Sequence, residues 1–329
     1  LVNYSTKNNL FTDLIQIQIK DPLKEEEIKA SINSFDTISD SVSKKVRDQY
    51  EENPYPRWKF ANISPKNNFL SILNNNIYPN KIISNNNLKR DILIAGCGTG
   101  QQLVSKAAYE NSDILAVDLS LSSLSFAKRK MQELNHSNIE FLHGDILNLN
   151  NLNKKFSVIE CVGVLHHLKD PEKGLKVLLN ILEPNGYLKL GLYSEYARKH
   201  IVEARKLIKK YNFESNILSI RNFREFVIND KENEVLKKLN YNYDFYSTSN
   251  VRDLIFHVQE HRYTIPKISK LLKKYDLEFL GFTNSSIKKE YSKHYPNDLK
   301  NTSLENWNDF EINNPDIFRQ MYQFWLKNK

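Results

Sequence analysis

The sequence predicts an α/β fold, a parallel sheet with helices on both faces, extended by helical segments at the N-terminus and after the fifth strand. Three observations point there. Between Asp91 and Tyr193, apolar runs of strand length alternate with segments of helical period, and that rhythm favours parallel strands joined by right-handed crossovers. The first run, DILIAG, is apolar without alternation, as a strand buried on both faces is. It leads directly into a glycine-rich turn, AGCGTG.

The elements follow in order. Residues 1–40 read as helices, and Asp40 then stands as the cap of a helix over SVSKKVRDQYEEN. Pro54-Tyr55-Pro56 stops that helix and forces an extended or turned backbone. Asparagine clusters at 74–76 and 85–87 read as loops. After DILIAG comes a helix over about 101–110. A second strand, DILAVDL, ends at Asp118, and the next helix carries Leu121, Leu124, Ala127 and Met131. IEFLHGD and FSVIECV supply the third and fourth strands, a helix runs from Pro171 to Leu182, and YLKLGLY is the fifth strand. Beyond Tyr193 the rhythm breaks into mostly helical sequence to about Glu260. YTIPKISKLLKKY then gives a helix and LEFLGFT a sixth strand. Pro315 can start a short helix, and MYQFWL reads as that helix's end or a last strand. Four segments result: 1–60, a helical extension and lid; 61–194, the core; 195–262, a helical insertion; 263–329, completion of the sheet.

Composition narrows the function classes. With 40% hydrophobic and 26% charged residues, the chain of 329 residues suits an ordinary folded protein. No apolar stretch approaches the ~18 residues of a membrane-crossing helix. Cys97 and Cys161 are its only cysteines, too few for a disulfide framework and unclustered with metal ligands, which suggests reduced thiols and the cytoplasm. The net charge of +8 suits nucleic acid, but a solvated lysine-rich surface is the favoured account. The chain opens on Leu1 rather than methionine, as the C-terminal part of a longer or processed chain does.

The turn holding Gly96, Gly98 and Gly100 joins a strand to a helix, where glycines let a ligand approach the backbone. The helix start offers free N–H groups and a positive dipole end. Asp118, ending the second strand, can accept hydrogen bonds from both ribose hydroxyls, which identifies a nucleoside without saying which. Asp145 can accept from an adenine amino group while Ile146 covers the ring.

In order and spacing, ILIAGCGTGQ, LAVDLS, FLHGDI, ECVGVLHHLKDP and LEPNGYLKLGLYS resemble the successive motifs of class I S-adenosylmethionine (SAM)-dependent methyltransferases. The resemblance covers 91–194. It implies a Rossmann-like sheet and SAM as cofactor, with Gly96, Gly98 and Gly100, beside Cys97 and Gln101, along the methionine part. It also implies Asp118 and Leu119 at the ribose, Asp145 and Ile146 at the adenine, and Cys161, Val162 and Gly163 flanking the sulfonium. Many relatives carry an acidic residue two positions before the first glycine; here Ile94 stands there, so backbone carbonyls near Gly96 or Cys161, or another side chain, must receive the SAM ammonium. VSKKVRDQYEENPYPRW, LYSEYARKHI and YSTSNVRDLIFHVQEHRYTIPKI are similar to a bacterial subgroup sometimes preceded by tetratricopeptide repeats, a region that would lie outside this chain.

For the acceptor side, Tyr193, His257 and His166 are the candidate catalytic residues. His167, Glu260 and His261 are further candidates, and Tyr55, Arg57 and Trp58 form a proline-framed lid. No third ligand accompanies His257 and His261, so no metal is expected. The acceptor itself, a protein side chain or a small molecule, is not legible. RNA methylation, NAD-dependent oxidation and a catalytically inactive interaction module are the competing functions. The GDI and VGVLHHLKDP segments favour methyl transfer over the dinucleotide reading.

Overall fold

The structure, a computed structural model, describes residues 4, 6–63, 65–83, 88–319 and 321–329. The asparagines at 85–87, read as a loop, lie outside them. Eight strands form one sheet: β1 (Asn33–Ser34), β2 (Arg90–Ala95), β3 (Ser112–Asp118), β4 (Ile139–His143), β5 (Phe156–Val162), β6 (Leu182–Leu192), β7 (Leu277–Phe282) and β8 (Tyr322–Asn328). Their spatial order is β1-β4-β3-β2-β5-β6-β8-β7. Pairing is parallel from β1 through β6, and β8 runs antiparallel between β6 and β7. This is the Rossmann-like sheet of the class that the motifs resemble.

The central strands have the composition their position demands. Every residue of β5 is buried, as expected of a strand covered on both faces. Its charged residue is Glu160, held on Lys106 at 3.0 Å and the Tyr109 hydroxyl at 3.0 Å. One apolar layer includes Leu165, Leu178 and Trp307, and the other Leu73, Leu124 and Met131. The insertion closes on a smaller core of its own, around Ile201, Phe223, Leu239 and Val251.

Several local expectations give way to tertiary structure. Asn74–Asn76 do not form a loop but belong to the Phe69–Ile77 helix. Phe69, Leu73 and Ile77 fall on one buried face, and that face outweighs the weak helix propensity of asparagine. Within 30–40 the chain is not helical, and Asn33–Ser34 pairs with Leu142–His143 as an edge strand. The helix expected over 101–110 shrinks to Leu103–Lys106, because Tyr109 is drawn into a bridge with Asn67. Pro315 follows a helix rather than starting one, since Leu304–Asn313 is capped by Ser303. MYQFWL resolves as β8.

Helix signals written in single residues hold. Asp40 caps the Ser41–Glu52 helix by accepting from Val42 and Ser43 N–H, both at 2.9 Å. Asp170 caps Pro171–Ile181 with proline in the first turn. No helix among the described residues is long and apolar enough to cross a membrane.

Candidate active site

Strand order reverses between β2 and β5, and α/β sheets bind ligands beyond the carboxyl ends of the strands at such a point. A cavity of ≈ 280 Å³ is lined by the loops that leave those two strands. Gly96, Cys97, Gly98 and Gln101 form part of its wall. Gly98 has φ +52°, and a Cβ there would lie 3.5 Å from the Tyr55 carbonyl oxygen. Gly96 has φ +79°, and a Cβ would lie 2.3 Å from a Val164 methyl. The turn thus passes close under the loop after β5 only without a side chain. Gly100 packs toward Ala127 and is off the wall.

Asp118 is fixed from behind. One carboxylate oxygen accepts from Gly98 N–H at 2.8 Å and the other from Ser120 N–H at 3.0 Å. Burial raises its pKa, and the two backbone N–H groups oppose that rise. A carboxylate offers about four lone-pair positions, so acceptor capacity remains for a pair of hydroxyls. Leu119 and Ile146 also line the cavity, but Asp145 does not. Its carboxylate accepts from Leu147 N–H at 2.9 Å, capping the 3₁₀ turn after β4, and only 1% of the residue is exposed. Val162 and Gly163 line the wall after β5, whereas Cys161 alternates into the core. Burial pushes the Cys161 thiol up to about 12.

Tyr50, Tyr55, Tyr193, His167 and Asp253 also line the cavity. The Tyr50 hydroxyl donates to Asp253 at 2.6 Å, and the Tyr55 hydroxyl donates to Asp244 at 3.0 Å. Asp253 is buried, and burial pushes its carboxyl up to about 6 against the opposing Tyr50 hydrogen bond and the Arg198 charge. The Arg198 guanidinium sits 3.7 Å from the Tyr193 ring centroid, and His166 stacks on that ring at 3.8 Å. Two face-on contacts that close require opposite faces, so the ring is clamped. Arg198 is itself held by Glu260 at 3.0 and 2.6 Å.

Of the three residues expected to be catalytic, then, Tyr193 reaches the wall. His166 is wholly buried behind Tyr193. His257 stacks on His167 at 3.5 Å and faces a different cavity. Both imidazoles are driven well below their ordinary pKa, first by burial and then by neighbouring histidine. Tyr50 and Asp253 were not foreseen. Ser43, Val46 and Tyr50 all line the cavity, and their i, i+3, i+7 spacing on a well-capped helix was a readable signal. Asp253, an acidic residue on a helix whose Val251, Leu254 and Ile255 are buried, was another. From the proposed lid, Tyr55 lines the cavity, Trp58 donates its indole N–H to the Thr99 carbonyl at 3.0 Å, and Arg57 faces Glu25 at 3.7 Å. Among the described residues no cluster of side chains could hold a metal ion.

Comparison with known proteins agrees with this geometry. Residues 92–186 match the family model described as a methyltransferase domain. An uncharacterised Synechococcus protein is 28% identical over 202 residues, covering 59% of this chain and 48% of that protein. The demethylmenaquinone methyltransferase of Staphylococcus saprophyticus is 29% identical over 137 residues, 39% of this chain and 58% of the enzyme. The structure of PKMT2 from Rickettsia typhi in complex with AdoHcy superposes with a TM-score of 0.58 at 21% identity. It covers 83% of this chain and 54% of PKMT2. The chain spans about half the length of the curated relatives it matches.

Proposed function

We propose that this chain, which carries a class I SAM-dependent methyltransferase domain, transfers the methyl group of SAM to an amine nitrogen, on a protein side chain or a small molecule. The carrying observation is that the cavity has two carboxylates on its wall, Asp118 beside the glycine turn and Asp253 among three tyrosines. The glycine turn and Asp118 suit the nucleoside and amino-acid parts of SAM, as the motifs imply. Asp253 lies on the insertion and suits the second substrate.

The chemistry favours nitrogen. An amine arrives largely as ammonium, which a carboxylate attracts and tyrosine faces accommodate through cation–π contact. A carboxylate or phosphate acceptor would instead meet like charge at Asp253. SAM supplies an activated methyl on a positively charged sulfur. The chain's task is to align the nitrogen behind it and exclude water. The Tyr50 hydroxyl fixes Asp253, and Arg198 with His166 fixes Tyr193, so the nitrogen's hydrogens have a rigid set of oxygens to donate to. The arriving ammonium first passes a proton to Asp253, which frees the nitrogen lone pair; as that pair bonds the methyl carbon, the S–C electron pair stays with sulfur and the product leaves as a methylammonium.

A labelled-SAM assay on lysate fractions, followed by chemical analysis of the product, tests this reading. Label retained through acid hydrolysis as methylated amine is the expected outcome. Release of the label as methanol under mild alkali would mark a methyl ester and overturn the amine. Absence of SAM binding by calorimetry would remove methyl transfer altogether.

A further inference from the structure

A second cavity, of ≈ 510 Å³, lies behind the histidine pair, lined by His257, Arg205, Arg262, Lys206 and Lys209 together with apolar Val202 and Phe256. Among the described residues no carboxylate lines it. Two of the cations have an acid beside them: Arg262 Nη1 faces Glu260 at 3.3 Å, which also takes two bonds from Arg198, and Lys206 faces Glu203 at 3.5 Å. Arg205 is held in place by donating to the Ile255 and His257 carbonyls at 3.2 and 2.9 Å.

Two residues that line this cavity each carry a buried polar atom with no partner among the described residues, His257 Nε2 and Arg262 Nε; Arg262 also borders a neighbouring cavity. His257 is only 2% exposed, and an orphaned polar atom so buried costs about 1–3 kcal/mol unless something satisfies it. The two atoms ask for different things. His257 Nδ1 lies 2.9 Å from the Gln259 carbonyl and 3.3 Å from Gln259 N–H; the shorter contact is made with the hydrogen on Nδ1, and in that tautomer Nε2 is a lone pair wanting a donor. Arg262 Nε is a donor wanting an acceptor. A carboxylate ion supplies acceptors only. A phosphate monoester that keeps one proton supplies both an O–H and anionic oxygens, and its charge of about −1 answers the surrounding cations.

We propose that this cavity binds the phosphate group of a small organic molecule, with His257 Nε2 and Arg262 Nε as its buried anchors and the apolar wall receiving the organic part. The site stands apart from the methyl-transfer cavity and does not depend on the function proposed for it. His257 separates the two, stacked on His167 at 3.5 Å.

Calorimetry at constant ionic strength with phenyl phosphate, inorganic phosphate and benzoate tests the assignment. Phenyl phosphate should bind saturably, inorganic phosphate more weakly, and benzoate at least tenfold more weakly than phenyl phosphate. Arg262→Gln should weaken phenyl phosphate at least tenfold while SAM affinity stays unchanged. Should Arg262→Gln fail to fold by circular dichroism, Lys206→Gln/Lys209→Gln replaces it, with a loss of at least threefold expected. Benzoate binding as tightly as phenyl phosphate would overturn the phosphate assignment. Undiminished phenyl phosphate affinity in a folded variant would overturn the site, and tighter binding of a phosphoserine peptide would overturn the small-molecule occupant.

Discussion

Asp253 is a carboxylate whose charge the fold disfavours and whose position the proposed chemistry needs. Its folded pKa of about 6 lies above the ordinary 3.8, so between roughly pH 4 and 6 the folded state keeps a proton that the unfolded chain has released. Stability contributed at this residue therefore falls as pH rises through that window and is level above it. Asp253→Asn should stabilise the protein by on the order of 2–3 kcal/mol at pH 8, with a smaller gain at pH 5, by urea unfolding. The same variant should lower turnover on an amine by about 10²- to 10⁴-fold with SAM affinity unchanged. A variant that is fully active, or no more stable, would take Asp253 out of the role given to it. Asp118 behaves differently, since it already accepts from two backbone N–H groups. Asp118→Ala should weaken SAM binding by about 1.5–3 kcal/mol, which calorimetry can measure.

The elements that carry the site are a turn and two helices. Gly98 sits at φ +52°, where a Cβ would meet only the Tyr55 carbonyl at ordinary contact distance. Gly98→Val strains the turn through its backbone and projects methyl groups toward the cavity. SAM binding should be lost while the circular dichroism of the sheet is retained; normal binding by a folded variant would contradict the proposed turn. The Ser41–Glu52 helix brings Ser43, Val46 and Tyr50 to the wall, and Thr248–Ile255 brings Asp253 opposite them. Tyr50–Asp253 and the 2.6 Å Glu52–Arg252 ion pair join the two helices. Segments about 200 residues apart in the chain thus meet over the cavity beside the glycine turn. The start of the first helix was legible because its cap is local, an aspartate followed by free N–H groups. The helix over Phe69–Ile77 was not, because asparagine's local preference for turns opposes a face that only packing rewards.

Across the whole molecule, the two ends of the insertion are tied together through buried charge. Arg198, near the start of the insertion, pairs with Glu260 at its end, with side chains 5% and 1% exposed. Removing Arg198 leaves buried Glu260, among the described residues, with only its 3.3 Å contact to Arg262. Arg198→Ala should therefore cost roughly 3–5 kcal/mol in denaturant unfolding and free the Tyr193 ring. Arg198→Met combined with Glu260→Leu should recover most of that stability without restoring turnover. Failure of the double variant to recover would mean that the insertion depends on the hydrogen bonds of this pair rather than on matched charge.

The sequence by itself determined the sheet and the glycine-turn end of the cavity. Strand runs, the glycine turn, Asp118 and Ile146 are written in short stretches where local backbone geometry and ligand chemistry restrict the residue types. It also placed Tyr193, which leaves β6 beside the same crevice. Tertiary structure decided the rest of the acceptor end. His166 and His257 are as polar as His167, yet stacking turned only His167 toward the cavity beside the glycine turn. Asp253 became part of the site because the insertion folded back onto a helix from the N-terminal region. Which side chains share a wall depends on long-range packing, and periodicity within one segment carries no information about the face another segment will present.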